Sequence, residues 1–153
     1  MGENIFALDV GGAFIKSAFL PEGGRPASKI TPFEMWKNPE KLATVLKGLK
    51  PKHGATMCAI TMTGELCDCF KNRREGVWHI VESAQKVFDD VLVFGINGGL
   101  LAPKEAIKNY RDVASANWAV VPQYIGRFEN DFLLCDIGST TTDLTPVRGG
   151  KIS

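Results

Sequence analysis

Two aspartates in this chain each end an apolar run and precede a glycine turn. Asp9 follows Ile5-Phe-Ala-Leu8 and leads into Val10-Gly-Gly12, while Asp136 follows Phe132-Leu-Leu-Cys135 and leads into Ile137-Gly-Ser-Thr-Thr-Thr-Asp143. Gly11, Gly12 and Gly138 allow backbone conformations that a Cβ resists, so main-chain N–H groups can turn toward an anion. Ser139, Thr140, Thr141 and Thr142 set consecutive hydroxyls beside the second turn, and Lys16 follows the first. The chemistry that suits this set is phosphate binding. Two carboxylates alone oppose it, because like charges about 4 Å apart repel by roughly 4 kcal/mol at an effective dielectric of about 20. A magnesium ion held by Asp9 and Asp136, its other positions filled by water and phosphate oxygens, removes the conflict.

A second polar set lies in Thr61-Met-Thr-Gly-Glu-Leu-Cys-Asp-Cys-Phe-Lys-Asn-Arg-Arg-Glu-Gly-Val77. It follows an apolar run, so its side chains are expected at the carboxyl edge of an open parallel sheet, where ligands collect. Glu65 or Asp68 can serve as a general base or as a carboxylate anchoring an amine, and Arg73 and Arg74 as substrate-binding cations in the same cleft. The plainer reading of these four is a surface ion-pair loop. Cys58, Cys67, Cys69 and Cys135 include no pair at the two-residue spacing of a zinc site, which fits reduced thiols in a cytoplasmic protein. Cys67-Asp-Cys69 is the pair worth testing.

These residues need elements to position them. Alternation around Gly11-Gly12 predicts a hairpin over 5–20, with a third strand over 29–33 after the Pro21-Glu-Gly-Gly-Arg-Pro26 turn. Leu42, Val45, Leu46 and Leu49 recur at helical spacing between Pro39 and Pro51, and the lysines around them, with His53, read as a solvated face. A buried strand over 55–62, an amphipathic helix over 77–88 and an apolar strand over 91–94 imply a parallel crossover. Short helices are expected over 104–109 and 113–121. Phe132 to Cys135, apolar without alternation, reads as a strand buried on both faces.

The order is three strands, helix, strand, helix, strand, helix. With Asp9-Val-Gly-Gly12 and Asp136-Ile-Gly-Ser-Thr-Thr-Thr-Asp143 as paired phosphate hairpins, it resembles the superfamily of acetate and sugar kinases, Hsp70 and actin. The resemblance implies an α/β fold: an actin-like, ribonuclease H-like lobe with a mixed sheet over 1–126, then the first hairpin of an incomplete second lobe over 127–153. Lys16 stands where actins carry a phosphate-facing lysine. Thr63-Gly-Glu-Leu-Cys-Asp-Cys-Phe70, Ala114-Ser-Ala-Asn-Trp118 and both hairpins together are similar to the hydantoinase A-like proteins of tetrahydromethanopterin-linked one-carbon metabolism. That group includes a methanofuran-biosynthesis synthase joining an aminomethylfuranyl-methyl diphosphate to γ-glutamyltyramine. The resemblance thus implies a diphosphate-releasing transferase, with a small-molecule diphosphate and a phenol- and amine-bearing co-substrate as partners. Two alternatives remain: an ATP-dependent kinase with Glu65 or Asp68 as base, and a nucleotide-gated binding or assembly protein.

Composition bounds the partners. A formal charge of +1 across 153 residues gives no reason to expect nucleic acid or an anionic membrane, and no segment approaches the roughly 20 apolar residues of a membrane span. The start of the chain, with Glu3 and no basic region, does not read as a signal peptide. Only the opening of a second lobe follows Asp136, so the chain is expected to be the N-terminal half of a longer protein. Its lone hairpin should fold back on the first lobe, pair with another copy as a homo-oligomer, or leave its last residues mobile.

Overall fold

The computed structural model describes residues 4–52, 57–137 and 142–153. The chain divides into two compact units between Ala116 and Asn117. The first opens with β1 (Ile5–Val10), β2 (Phe14–Leu20) and β3 (Ala27–Pro32), an antiparallel meander. A 3-10 turn (Pro39–Lys41) leads into α1 (Leu42–Leu49), then β4 (Met57–Met62), α2 (Arg73–Gln85) and β5 (Val91–Phe94). The hairpin β6 (Leu100–Leu101), α3 (Pro103–Lys108) and α4 (Tyr110–Val113) follow. The sheet order is β3-β2-β1-β4-β5-β6, with β4 parallel to both β1 and β5. This is the mixed sheet and parallel crossover expected from the sequence.

One face of that sheet makes the core. Phe6, Leu8 and Val10 of β1 and Cys58, Ile60 and Met62 of β4 are buried with Leu42 and Leu46 of α1 and Val77, Ile80, Val81 and Ala84 of α2. The alternate residues, Ala7 and Asp9, Ala59 and Thr61, share the other face. A period of two therefore separates packing from chemistry on the same strands.

Several boundaries differ from expectation for identifiable reasons. Helix α2 begins before Val77 because Asn72 caps it, accepting from the Glu75 N–H at 3.0 Å, while the Glu75 carboxylate accepts from the Lys71 N–H at 2.8 Å. The helix expected over 113–121 is broken: α4 ends at Val113, Ser115 takes a positive φ of 52°, and a 3-10 turn (Ala116–Ala119) precedes α5 (Val120–Ile125). Among the basic residues of the first helix, Lys50 is not simply solvated, since its Nζ donates to the Val87 carbonyl at 2.8 Å and lies 5.6 Å from the Phe88 ring centre. His53 lies outside the described residues.

The second unit holds α5 and a three-stranded antiparallel meander, β7 (Phe132–Ile137), β8 (Thr142–Arg148) and β9 (Lys151–Ile152). Gly150, at φ +74°, lets the β8–β9 turn approach the backbone at the end of α5, where an added Cβ would meet the Gly126 carbonyl oxygen at 2.5 Å. Strand β7 is not buried on both faces: Leu133 is 61% and Ile137 75% exposed. An apolar run without alternation states what a strand can bury, and its burial depends on the layers laid over it.

Burial pushes the Cys58 thiol up to about 12, with the Lys50 charge offsetting part of the effect. A thiol whose folded value exceeds the unfolded 9.0 contributes stability that is complete below pH 9 and lost as pH rises toward 12. Urea midpoints measured across that range should fall with pH, and Cys58→Ala should remove part of the slope.

Candidate functional site

Strands β1 and β4 run parallel and in register, Asp9 opposite Thr61 and Val10 opposite Met62, so the loops after both leave from the same edge. The ladder continues one step further through the Thr63 N–H, which donates to the Val10 carbonyl at 3.0 Å. Glycine turn and Glu65 loop thus start side by side. Gly11 closes the turn with its N–H on the Phe14 carbonyl at 3.0 Å.

Close backbone packing then joins these loops. A Cβ on Gly64 would stand 3.0 Å from the carbonyl oxygens of both Val10 and Gly11, and one on Gly12 would stand 2.8 Å from the Cys67 sulfur. The segment after β3 is drawn in as well, for the Met35 N–H donates to the Gly12 carbonyl at 2.9 Å and Met35 is fully buried. From the other side comes α2. A Cβ on Gly76 would fall 2.6 Å from the Glu65 Cα and 2.7 Å from its carbonyl oxygen. Glycine inside a helix costs about 1 kcal/mol relative to alanine, and here it allows the helix to lie on the Glu65 backbone.

Glu65 is consequently enclosed, with 1% of its surface exposed. Its Oε1 accepts a hydrogen bond from the Ser115 hydroxyl at 2.7 Å, and its Oε2 is buried without a partner among the described residues. An unpaired buried acceptor costs about 1–3 kcal/mol, so this oxygen is a place for a donor supplied by water or substrate. The structure does not gather the other three residues around it. Asp68, Arg73 and Arg74 are exposed and make no side-chain hydrogen bond or ion pair among the described residues. Periodicity places a strand end but not the depth of the loop beyond it, which Gly64 and Gly76 set.

The residues expected from the sequence to bind phosphate fall into both units. In the first, Lys16 is the cross-strand partner of Asp9, its Nζ 3.1 Å from Oδ2. The lysine is 63% exposed and the aspartate 23%, a pair that contributes at most about 1 kcal/mol and leaves the lysine available. Among the described residues, Asp9 Oδ1 is buried without a partner, as is Thr61 Oγ1 directly opposite on β4. In the second unit, Asp136 and Asp143 are exposed direct partners across β7 and β8, an arrangement of like charges that a cation relieves. Thr142 begins β8 and is exposed. Gly138, Ser139, Thr140 and Thr141 lie outside the described residues.

No group of three or more His, Cys, Asp or Glu among the described residues is placed to hold a metal alone. Magnesium fits the residues present in its usual manner, through one or two carboxylates with water and phosphate completing the shell, and Asp9 Oδ1 is an unsatisfied donor atom of the right kind. The cysteines suit a metal less. Burial, then the neighbouring Cys69 thiol and the Glu65 and Asp68 carboxylates, hold the Cys67 thiol above its ordinary value and keep it protonated.

Thr61 and Ser115 are the polar residues that spacing did not single out. Gly76, just before the helix expected over 77–88, marks a close approach to Glu65.

The fold defines the class: this is an actin-like ATPase-fold protein. Superposition on the ethanolamine utilization protein EutJ from Carboxydothermus hydrogenoformans gives a TM-score of 0.55 at 16% identity, over 100% of this chain and 50% of that one. The Aquifex aeolicus Ppx/GppA phosphatase, type II variant, gives 0.59 at 13% identity, over 99% and 50%. The profile of the hydantoinase/oxoprolinase family matches residues 56–153, and the chain belongs to that family. A relative from Methanocaldococcus jannaschii, (4-{4-[2-(γ-L-glutamylamino)ethyl]phenoxymethyl}furan-2-yl)methanamine synthase, is 37% identical over 150 residues, 97% of this chain. The chain spans 44% of that relative's length.

Replacing Gly76 by alanine should cost about 1–3 kcal/mol through overpacking, offset only slightly by helix propensity. Denaturant unfolding measures the loss, and tryptophan fluorescence near the folded baseline should report a shifted environment at Trp78.

Proposed function

We propose that this chain forms part of a transferase that condenses an aminomethylfuranyl-methyl diphosphate with γ-glutamyltyramine, releasing diphosphate, in methanofuran biosynthesis. The observation that carries the reading is the 37% identity, sustained over 97% of this chain, to a synthase named for a phenoxymethyl furan product. Such an aryl ether forms when a phenol oxygen bonds to the furanyl methylene carbon and the bond from that carbon to the diphosphate oxygen breaks. The phenol loses its proton and the departing diphosphate carries the electron pair.

Two demands follow, and the residues answer each. The diphosphate requires cations and N–H donors. Lys16 and the Gly12 N–H are the proposed donors in the first unit, the Gly11 N–H being taken by the Phe14 carbonyl, and Gly138 with Ser139, Thr140, Thr141 and Thr142 are the proposed phosphate-binding residues of the second. Magnesium is the proposed cofactor, with Asp9 and Asp136 as its carboxylate ligands and Thr61 beside Asp9. The chemistry such an ion supplies when bound is neutralisation of charge on the leaving group.

The nucleophile requires an acceptor for its proton. Glu65 is the proposed base, meeting the phenol directly or through one water at Oε2, the oxygen that Ser115 leaves free. The same carboxylate would otherwise anchor the substrate ammonium. Asp68 is the second candidate, and the exposed Arg73 and Arg74 suit the γ-glutamyl carboxylate or diphosphate oxygens near the entrance.

Incubating the intact protein with both substrates and Mg2+ should yield the aryl ether by mass spectrometry, with diphosphate released in equal amount and no ATP required. Consumption of ATP with phosphorylation of a hydroxyl, and no ether, would assign the kinase reading instead.

A further inference from the structure

Ser115 stands at a conformation that serine seldom adopts. Its φ of +52° lies in the left-handed region, where a side chain crowds the backbone. The preceding turn is fixed by the Ala114 N–H on the Tyr110 carbonyl at 2.9 Å, and buried Val113 and Ala116 hold the chain on both sides. Glycine would fit this backbone without strain. What serine adds is the hydroxyl, which donates to Glu65 Oε1 at 2.7 Å across a sequence separation of 50 residues.

That bond has a consequence for the carboxylate. Glu65 is 1% exposed, with its backbone and Cβ against the Gly76 face of α2. A freely rotating carboxylate would offer either oxygen to a donor. With Oε1 committed to Ser115, Oε2 is the one left without a partner. We propose that Ser115 is a positioning residue for Glu65: its hydroxyl fixes the carboxylate plane so that Oε2 alone meets the substrate donor or its bridging water. This rests on the reading of Glu65 as base or amine anchor. Ser115 itself touches no reacting atom, and the strained backbone is retained because the hydroxyl is needed at that spot.

The test compares Ser115→Gly, Glu65→Gln and the double variant in the intact protein, reading kcat, KM for the furanylmethyl diphosphate and Tm. Ser115→Gly relieves the strain but also takes the donor from buried Oε1, two effects of opposite sign, so Tm should stay within a few degrees. Its kcat should fall about tenfold or more, since a misplaced catalytic group costs up to about a hundredfold, while KM stays within about twofold. The double variant should be no slower than Glu65→Gln alone. A purely structural Ser115 would instead move Tm alone and leave kcat unchanged, which overturns the inference. Unchanged kcat in Ser115→Gly beside a slow Glu65→Gln would also overturn it while leaving the reading of Glu65 standing. Full activity in Glu65→Gln would overturn that reading, and the inference with it.

Discussion

Helix α2 rests on the backbone of the Glu65 loop, and the candidate site depends on that contact. The approach is possible only because Gly76 has no Cβ, with the Glu65 Cα 2.6 Å from where one would stand. Gly64 makes the matching approach to the β1 turn on the other side. Three backbone segments therefore pack without side chains between them, and the Glu65 side chain beside them is 1% exposed. A carboxylate in such a place is costly unless its oxygens are used. Ser115 uses one of them.

The same constraint ties the carboxylate to the phosphate turn. The Val10 and Gly11 carbonyls, the Gly12 carbonyl that accepts from Met35, and the Cys67 sulfur against Gly12 surround one short turn. Movement of the Glu65 loop must displace this turn, because close-packed backbone does not compress. Asp9 follows by register, opposite Thr61 and beside Lys16, on the sheet face away from the helices. The first unit thus places a glycine turn and a buried acceptor on adjoining strand ends, the two groups proposed to serve displacement of a diphosphate.

Much of the fold was legible because it follows from period and punctuation. Alternation around Gly11-Gly12, the apolar runs of β4 and β5, and the helical recurrence of Leu42, Leu46, Val77, Ile80 and Val81 each state which face is buried, and the mixed sheet follows from their order. The glycine turn after Asp9 was legible as a turn for the same local reason. Depth was not. Glu65 reads as one of four polar residues in a surface loop, and only the three-dimensional meeting of Gly64 and Gly76 encloses it while leaving Asp68, Arg73 and Arg74 outside. Ser115 sits in a run of small residues that reads as helix, and a positive φ at a serine has no marker in composition. The exposure of Leu133 and Ile137 in β7 was hidden similarly, because hydrophobicity does not say whether a covering layer is present.

The proposed magnesium-dependent diphosphate site at the β1 turn is measured directly by titration calorimetry. Inorganic diphosphate added to the intact protein should bind with Mg2+ present and lose that affinity in EDTA, and Asp9→Asn should abolish the difference. Equal affinity with and without the metal, or an unchanged metal dependence in Asp9→Asn, would contradict it.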